Sequence, residues 1–439
     1  MTVFGQVDVR PQKRTIVSGD RYTSPQFMLA LLFICTLAPY GTFTFAGGIL
    51  RIDHFVVPLA FAYVLFRRRL QIWPPLLIAL FVFVGLSLFS TIISLELFFA
   101  TPIIALKYLD GMLRGPFVFA IATTMRPSAR GTQLVLRGIT VIAVACALFA
   151  IADRVVPLDT RVMLRLIELY GGPSAEGNVL GVNHKHLMLI SSRATAFFVT
   201  PPSLAMVSLF FIAGGLARGA PIGMIERILL VGSGLVGGVL SNSKSFFFGI
   251  FALSALTILQ KQPLIFRLAQ AFLLVGGMAA LIALSAGDES LASNPLERIS
   301  ETNDFVSGAT GGRFGESEWN ANMVVEAVLD DSPLFGFGLG EREDIIYSDS
   351  GLNRLLLHAG ILGALVVSLG VGAQVWWFLR HHRSNWSRLG LQVLVVALSL
   401  FLAAPIFMMV RVNDILFTIL GVAVAYCTQA EQRLECQIM

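Results

Sequence analysis

The sequence predicts an all-α integral membrane protein, a bundle of about twelve transmembrane helices with two extracytoplasmic loops that bear short helices. Three observations predict it. The 439 residues are 56% hydrophobic and only 13% charged, with mean hydropathy +0.77, a balance that soluble domains do not show. Apolar runs of roughly twenty residues recur along the chain, the length a helix needs to cross a bilayer. Basic residues gather at every second exit from those runs, as cytoplasmic connections require.

Runs of this length favour helices over an outer-membrane barrel, whose strands are short and alternate. A helix also satisfies its own backbone hydrogen bonds in lipid. The net charge of +5 then reports topology and gives no reason to expect nucleic acid.

Residues 1–26 are polar and basic, with no apolar stretch before Phe27. They read as a cytoplasmic tail and not as a cleavable signal. The transmembrane domain spans 27–428, and 429–439 is a second cytoplasmic tail. Spans are predicted near 27–46, 50–66, 71–93, 103–123, 134–152, 194–216, 225–241, 245–260, 268–286, 355–379, 390–410 and 412–428.

Arg10, Lys13, Arg14 and Arg21 precede the first span, and Arg67, Arg68 and Arg69 follow the second. Arg126 and Arg130, Arg218 and Arg227, Lys261 and Arg267, then Arg380, Arg383 and Arg388 follow later even-numbered spans. Both termini are therefore expected in the cytoplasm. The short connections on the other side hold one cation each at most: Arg51, Lys244 and Arg411.

Two long connections, 153–193 and 287–354, fall outside. The second carries just over half of the 27 acidic residues. No cysteine lies in either loop, so no disulfide framework is expected. His184 and His186 have a metal-like spacing but no third ligand nearby, and no metal or cofactor is expected. No phosphate-binding GxxxxGK[ST] loop is present.

Within the spans, ALKYLDGMLRG sets Lys107, Asp110 and Arg114 on one helix face. That face reads either as an ionic cluster that stabilises packing or as one wall of a polar cavity. The glycines of GSGLVGG (232–238) suit close helix packing. In the first outer loop Asp159 is placed to cap a helix. Val162, Met163, Leu166, Ile167 and Tyr170 form its apolar stripe and Arg161 and Arg165 face away, the pattern of an interfacial helix.

LISSRATAFFVTPPSLAM (189–206) puts Arg193 at the mouth of a span, with Pro201 and Pro202 expected to kink that span just behind it. Such an arginine either anchors a helix end at the headgroups or holds an anion there. The second outer loop contains GGRFGESEWNANMVVEAVLDD, then SPLFGFGLG, then DSGLNRLLLHAGILGALVVSLG.

These segments, in this order, resemble the O-antigen polymerase and O-antigen ligase superfamily of bacterial envelope enzymes. The matching residues are Arg313 and Trp319, Pro333 to Gly340, Asp349–Ser350, and Gly360 with Gly363; the arginine-led span at Arg193 matches as well. Ligases of that family carry a histidine–asparagine pair where this chain has Asp349–Ser350, so the resemblance points to the polymerase side.

The resemblance implies an integral-membrane glycosyltransferase acting on polyprenyl-diphosphate-linked oligosaccharide repeat units at the outer leaflet. It implies Arg193, Lys244 and Arg313 as holders of the diphosphate, since cations at span mouths suit that charge. It implies Asp349 as base or acceptor-orienting group, with His358 as a supporting donor near the diphosphate. The partners implied are the lipid-linked donor, the bilayer, and flippase, chain-length-regulating and export proteins. The alternatives are a ligase moving glycan to a lipid or protein acceptor, and a transporter for a lipid-linked saccharide. A transporter should show polar, discontinuous helices at mid-membrane.

The charge alternation makes a topological prediction. Cysteines introduced at Ser293 and Ser384 should react with an impermeant thiol reagent from opposite sides of the membrane. Reaction of both from one side would overturn the orientation.

Overall fold

The computed structural model describes residues 22–39, 43–45, 48–67, 70, 73–94, 102–125, 128–171, 184–190, 193–217, 222–259, 321–339, 350–381, 384–401 and 406–438. Across them the chain is mostly helical, with one short hairpin and a few irregular connections.

Helix α1 (Pro25–Leu37) begins where the Ser24 hydroxyl accepts from Phe27 N at 3.2 Å and Pro25 occupies its first position. It ends at Leu37, short of the predicted span 27–46. Strands β1 (Phe43–Phe45) and β2 (Gly48–Leu50) follow and pair antiparallel, with Phe43 opposite Leu50. The aromatic and β-branched run Phe43, Thr44, Phe45 suits a pleat better than a helix.

Next come α2 (Asp53–Phe66), α3 (Pro75–Ser94), α4 (Pro102–Thr123) and α5 (Ala129–Val155), then the short α6 (Arg161–Tyr170) and α7 (His184–Ile190). After these stand α8 (Pro201–Leu216), α9 (Met224–Leu240) and α10 (Lys244–Leu259). Helices α11 (Ala321–Asp331), α12 (Gly351–Arg380), α13 (Asn385–Phe401) and α14 (Val412–Ile438) complete the described chain, with a 3₁₀ turn at Ile406–Met408.

Three stretches, Pro75–Ile93, Arg130–Val155 and Gly351–Arg380, are long and apolar enough to cross a membrane. Six further apolar helices run 10–17 residues. Of the expected span 390–410, the residues to Phe401 are helical and Ile406–Met408 form a 3₁₀ turn. The expected span 268–286 lies outside the described residues.

Helix α8 is central, buried along nearly its whole length. It packs closely on α9, where a Cβ at Gly234 would meet Ser208 O at 2.6 Å; of the GSGLVGG glycines Gly234 thus serves backbone approach, while Gly232 has open space around it. Helix α3 packs along α12, and α4 along α14.

Helix α12 is broken at Gly360, whose backbone (φ 60°, ψ −158°) is non-helical. The break orphans amides and carbonyls that a continuous helix would pair. The SPLFGFGLG turn replaces the missing partners. Ile361 N donates to Pro333 O at 2.9 Å and Leu362 N to Leu334 O at 3.2 Å, while Leu357 O accepts from Phe337 N at 2.7 Å. Helix α3 grips the other side of the turn: Ser90 Oγ donates to Gly336 O at 2.9 Å and Leu339 N donates to Thr91 Oγ1 at 2.7 Å.

Gly336, Gly338 and Gly360 all have φ between +60° and +76°, a region glycine enters without steric penalty. At Gly360 an added Cβ would also lie 2.5 Å from Leu334 C. Gly360→Ala should therefore destabilise the fold by about 1–3 kcal/mol or more, read as a lower midpoint of thermal unfolding in detergent. Gly372→Ala, in the same helix with open space around it, should not lower that midpoint.

Candidate functional site

The Arg193 segment is irregular backbone. Pro201 and Pro202 do not kink a helix, as the sequence suggested; they occupy the first positions of α8, with Thr200 as its cap. Proline lacks an N–H, and the first turn of a helix needs none. Residues 193–200 thus lie before the helix, and their backbone needs other partners.

Three buried charges supply them. Asp153, in the last turn of α5, accepts from Thr195 N at 3.0 Å and Ala196 N at 2.7 Å. Lys185 of α7 donates to Asp153 at 3.0 Å, to Thr195 Oγ1 at 2.9 Å and to Ala196 O at 2.5 Å. Arg411, just before α14, donates to Phe197 O and Ala38 O and lies 5.6 Å from the centre of the Tyr170 ring. Burial pulls the Lys185 ammonium below its ordinary value, and the facing Asp153 carboxylate opposes that shift.

Arg193 itself is half-buried, and its N–H donates to Met188 O at 2.9 Å. Ala194 N donates to Leu240 O at 3.0 Å. The bond ties this segment to the end of α9, one turn before Lys244, the first residue of α10. The backbones carrying two of the predicted cations are thus neighbours. The Lys244 side chain, Arg313 and Asp349 lie outside the described residues.

Helix α6 departs from the interfacial reading. Met163 and Ile167 are buried in a cluster with Leu189 of α7, with Val156, Leu158 and Leu166 against it. The Tyr170 hydroxyl donates to Leu37 O at 3.1 Å. The apolar stripe therefore packs within the protein, leaving Val162 exposed. Thr160, not Asp159, caps the helix, accepting from Met163 N at 3.3 Å.

The charged face of α4 divides by position. Arg114 donates from Nε to Asp414 Oδ1 and from Nη2 to Asp414 Oδ2, both at 2.9 Å, the bidentate geometry that favours arginine. Arg114 also pairs with Asp53, which Arg51 holds from its other side, with Nε–Oδ1 at 2.9 Å. All four side chains are at most 4% exposed. For Arg114 the packing reading holds.

Asp110, one turn earlier, is different. Its carboxylate lies 3.8 Å from His54 Nδ1, and the two side chains are 24% and 25% exposed. The Lys107 side chain lies outside the described residues.

His358 is fully buried. Its Nδ1 lies 2.6 Å from Gly338 O. The carbonyl only accepts, so Nδ1 carries the proton and Nε2 the lone pair. Among the described residues Nε2 has no hydrogen-bond partner. The ring centre is 5.2 Å from that of Tyr108, and Arg354 lies 5.5 Å from the Tyr108 centroid. In this arrangement the imidazole supports the glycine turn and does not reach the surface.

Helix α4 is thus ringed by polar contacts: Tyr108 toward α12, Asp110 toward α2, Arg114 toward α2 and α14. Sequence reasoning missed His54, Asp53, Asp153, Lys185 and Asp414 as members of these constellations. The available signal was the isolation of Arg51 and Arg411 on a cation-poor side, since a lone charge beside an apolar span needs a partner. No protein-family model matches this chain, and no curated protein matches it.

Asp153 gives the clearest test of the clamp. Asp153→Asn leaves Lys185 buried without its counter-charge and should cost about 3–5 kcal/mol of stability. Adding Lys185→Met removes the stranded charge, so the double variant should be more stable than Asp153→Asn alone. Unfolding midpoints of the three proteins in detergent measure both differences.

Proposed function

We propose that this chain is an integral-membrane glycosyltransferase that polymerises polyprenyl-diphosphate-linked oligosaccharide repeat units into a surface polysaccharide. In this reading it forms a bundle of about twelve spans in a bacterial inner membrane, with both termini cytoplasmic. The observation that carries the proposal is the lock between the SPLFGFGLG turn and the broken helix α12. Of the glycines that carry the family resemblance, Gly336, Gly338 and Gly360 stand at positive φ, where glycine is favoured. The segment that carries the resemblance is thus a folded turn of this chain, with Gly338 O against His358 Nδ1.

The chemistry follows from the donor. Its lipid tail stays in the bilayer while its diphosphate lies at the outer interface. Arg193 and Lys244, from adjoining segments, hold that diphosphate together with Arg313. Asp349, next to the α12 cap, orients the acceptor hydroxyl. His358 fixes the turn through Gly338.

Purified protein in vesicles containing lipid-linked repeat units should produce a ladder of longer glycans. No elongation of an authentic donor would overturn the proposal. Arg193→Ala should abolish most turnover while the protein still inserts, because one charge-assisted contact is worth roughly 1.5–3 kcal/mol. Arg193→Lys should restore only part of it, since the planar fork is lost. Full activity of Arg193→Ala would make this residue a headgroup anchor.

Two observations favour a second reading. A discontinuous helix at Gly360 and an ionic network inside the bundle are features expected of a transporter for a lipid-linked saccharide. The same vesicles decide: transfer of the donor across the bilayer with no change in its length supports the transporter.

A further inference from the structure

The network around Arg114 reaches the protein surface at one pair of side chains. Asp53, Arg51, Arg114 and Asp414 are all but sealed, whereas His54 and Asp110 keep about a quarter of their surface open. Sealed ion pairs hold helices together. A half-open imidazole facing a carboxylate has the means to exchange a proton with something outside the protein.

The surroundings of the pair are rigid. His54 is the second residue of α2, and its chain neighbour Asp53 is clamped by Arg51 and Arg114. Asp110 stands one turn before Arg114, which is held in bidentate fashion by Asp414. Below the pair, the Phe61 ring of α2 stacks on the Phe117 ring of α4 with centroids 4.2 Å apart. Both backbones that present the pair are thus fixed from the neighbouring helices, as an acid–base site requires. The Nδ1 side of His54 faces Asp110, so Nε2 is the nitrogen left for a reacting group.

The other histidine near α4 cannot take this part where it stands. His358 is fully buried and its Nδ1 is committed to Gly338 O. His54 lies on the opposite side of α4, just after Arg51, a residue of a connection read as outer.

We propose that His54 is the proton acceptor of the glycosyl transfer, with Asp110 as its positioning residue. This rests on the polymerase reading given above. The acceptor hydroxyl oxygen forms a bond to the anomeric carbon of the donor, and the bond from that carbon to the diphosphate oxygen breaks with its electron pair. The lipid diphosphate leaves as an anion, and the hydroxyl proton passes to His54 Nε2. Asp110 Oδ2, 3.8 Å from His54 Nδ1, stabilises by its charge the imidazolium that forms, as a carboxylate does beside a general-base histidine. The proton then escapes to water through the open side of the pair. The other charges in range of His54 are Asp53 on its own helix, Arg51 before it and Arg114 across from it; as a set with Asp414 they sum to zero.

The test uses the full-length protein in vesicles with the lipid-linked donor, with elongation rate measured against pH and against donor concentration. His54→Gln should lower kcat by about 100-fold or more, the usual contribution of a general base, while KM for the donor stays within a few-fold. The fall of wild-type rate toward acid pH, where His54 holds its proton, should be absent from the residual activity of this variant. Asp110→Asn leaves α2 untouched and should lower kcat at unchanged donor KM; it carries the test if His54→Gln does not insert. A His54→Gln enzyme with near wild-type kcat, or a variant set in which only donor KM changes, overturns the assignment. Absence of elongation by the wild-type protein overturns the polymerase reading itself and takes this inference with it.

Discussion

The buried pairing of Arg114 with Asp414 and Asp53 is the constraint on which the packing of α2, α4 and α14 depends. A guanidinium in an apolar interior costs several kcal/mol (about 3–5) if a partner is removed. Arg114 lies on α4, Asp53 on α2 and Asp414 on α14, with Arg114 and Asp414 300 positions apart in the chain. Asp53 has a local partner in Arg51, but Arg114 is paired with both carboxylates only when α2, α4 and α14 meet in one register. Hydrophobic burial alone would tolerate a helix sliding by a turn; a bidentate pair does not.

The same logic recurs wherever the backbone leaves the helix. Irregular chain inside a membrane protein is tolerated only where other groups satisfy its amides and carbonyls. At residues 193–200 those groups are Asp153, Lys185 and Arg411. At the break in α12 they are the carbonyls and amides of the SPLFGFGLG turn, with Ser90 and Thr91 steadying it from α3. Two non-helical segments are thereby held as rigidly as the helices around them. Irregular backbone whose amides and carbonyls are taken up in this way presents its side chains from fixed positions.

Some of this was legible in the sequence. Apolar length marked α3, α5 and α12, and the glycines of the α9 segment announced close packing. The PLFGFGLG string was readable as a turn, since glycine clusters mark positive φ. The proline pair was misread: Pro201–Pro202 inside an apolar run suggests a kink, yet the same residues are equally at home at a helix start. Which one holds depends on whether residues 193–200 can find hydrogen-bond partners, and those come from Asp153, 40 positions earlier, and from Arg411, more than 200 positions later. The α6 stripe was seen, but its burial against α7 instead of lipid depended on the position of Leu189.

By itself the sequence determined the class of the protein, its helical elements and the places where backbone must turn, because hydropathy, run length and glycine act locally. The tertiary structure alone decided which charges are sealed and which are open. Asp110 and Arg114 lie one turn apart on the same helix face, and nothing local distinguishes them. Arg114 is sealed because Asp414 and Asp53 reach it from two other helices. Asp110 keeps its opening because only His54 stands before it among the charges the structure sets within ion-pair distance. Electrostatic character in a membrane interior is a property of what packs opposite a side chain, and that is written in contacts between distant parts of the chain.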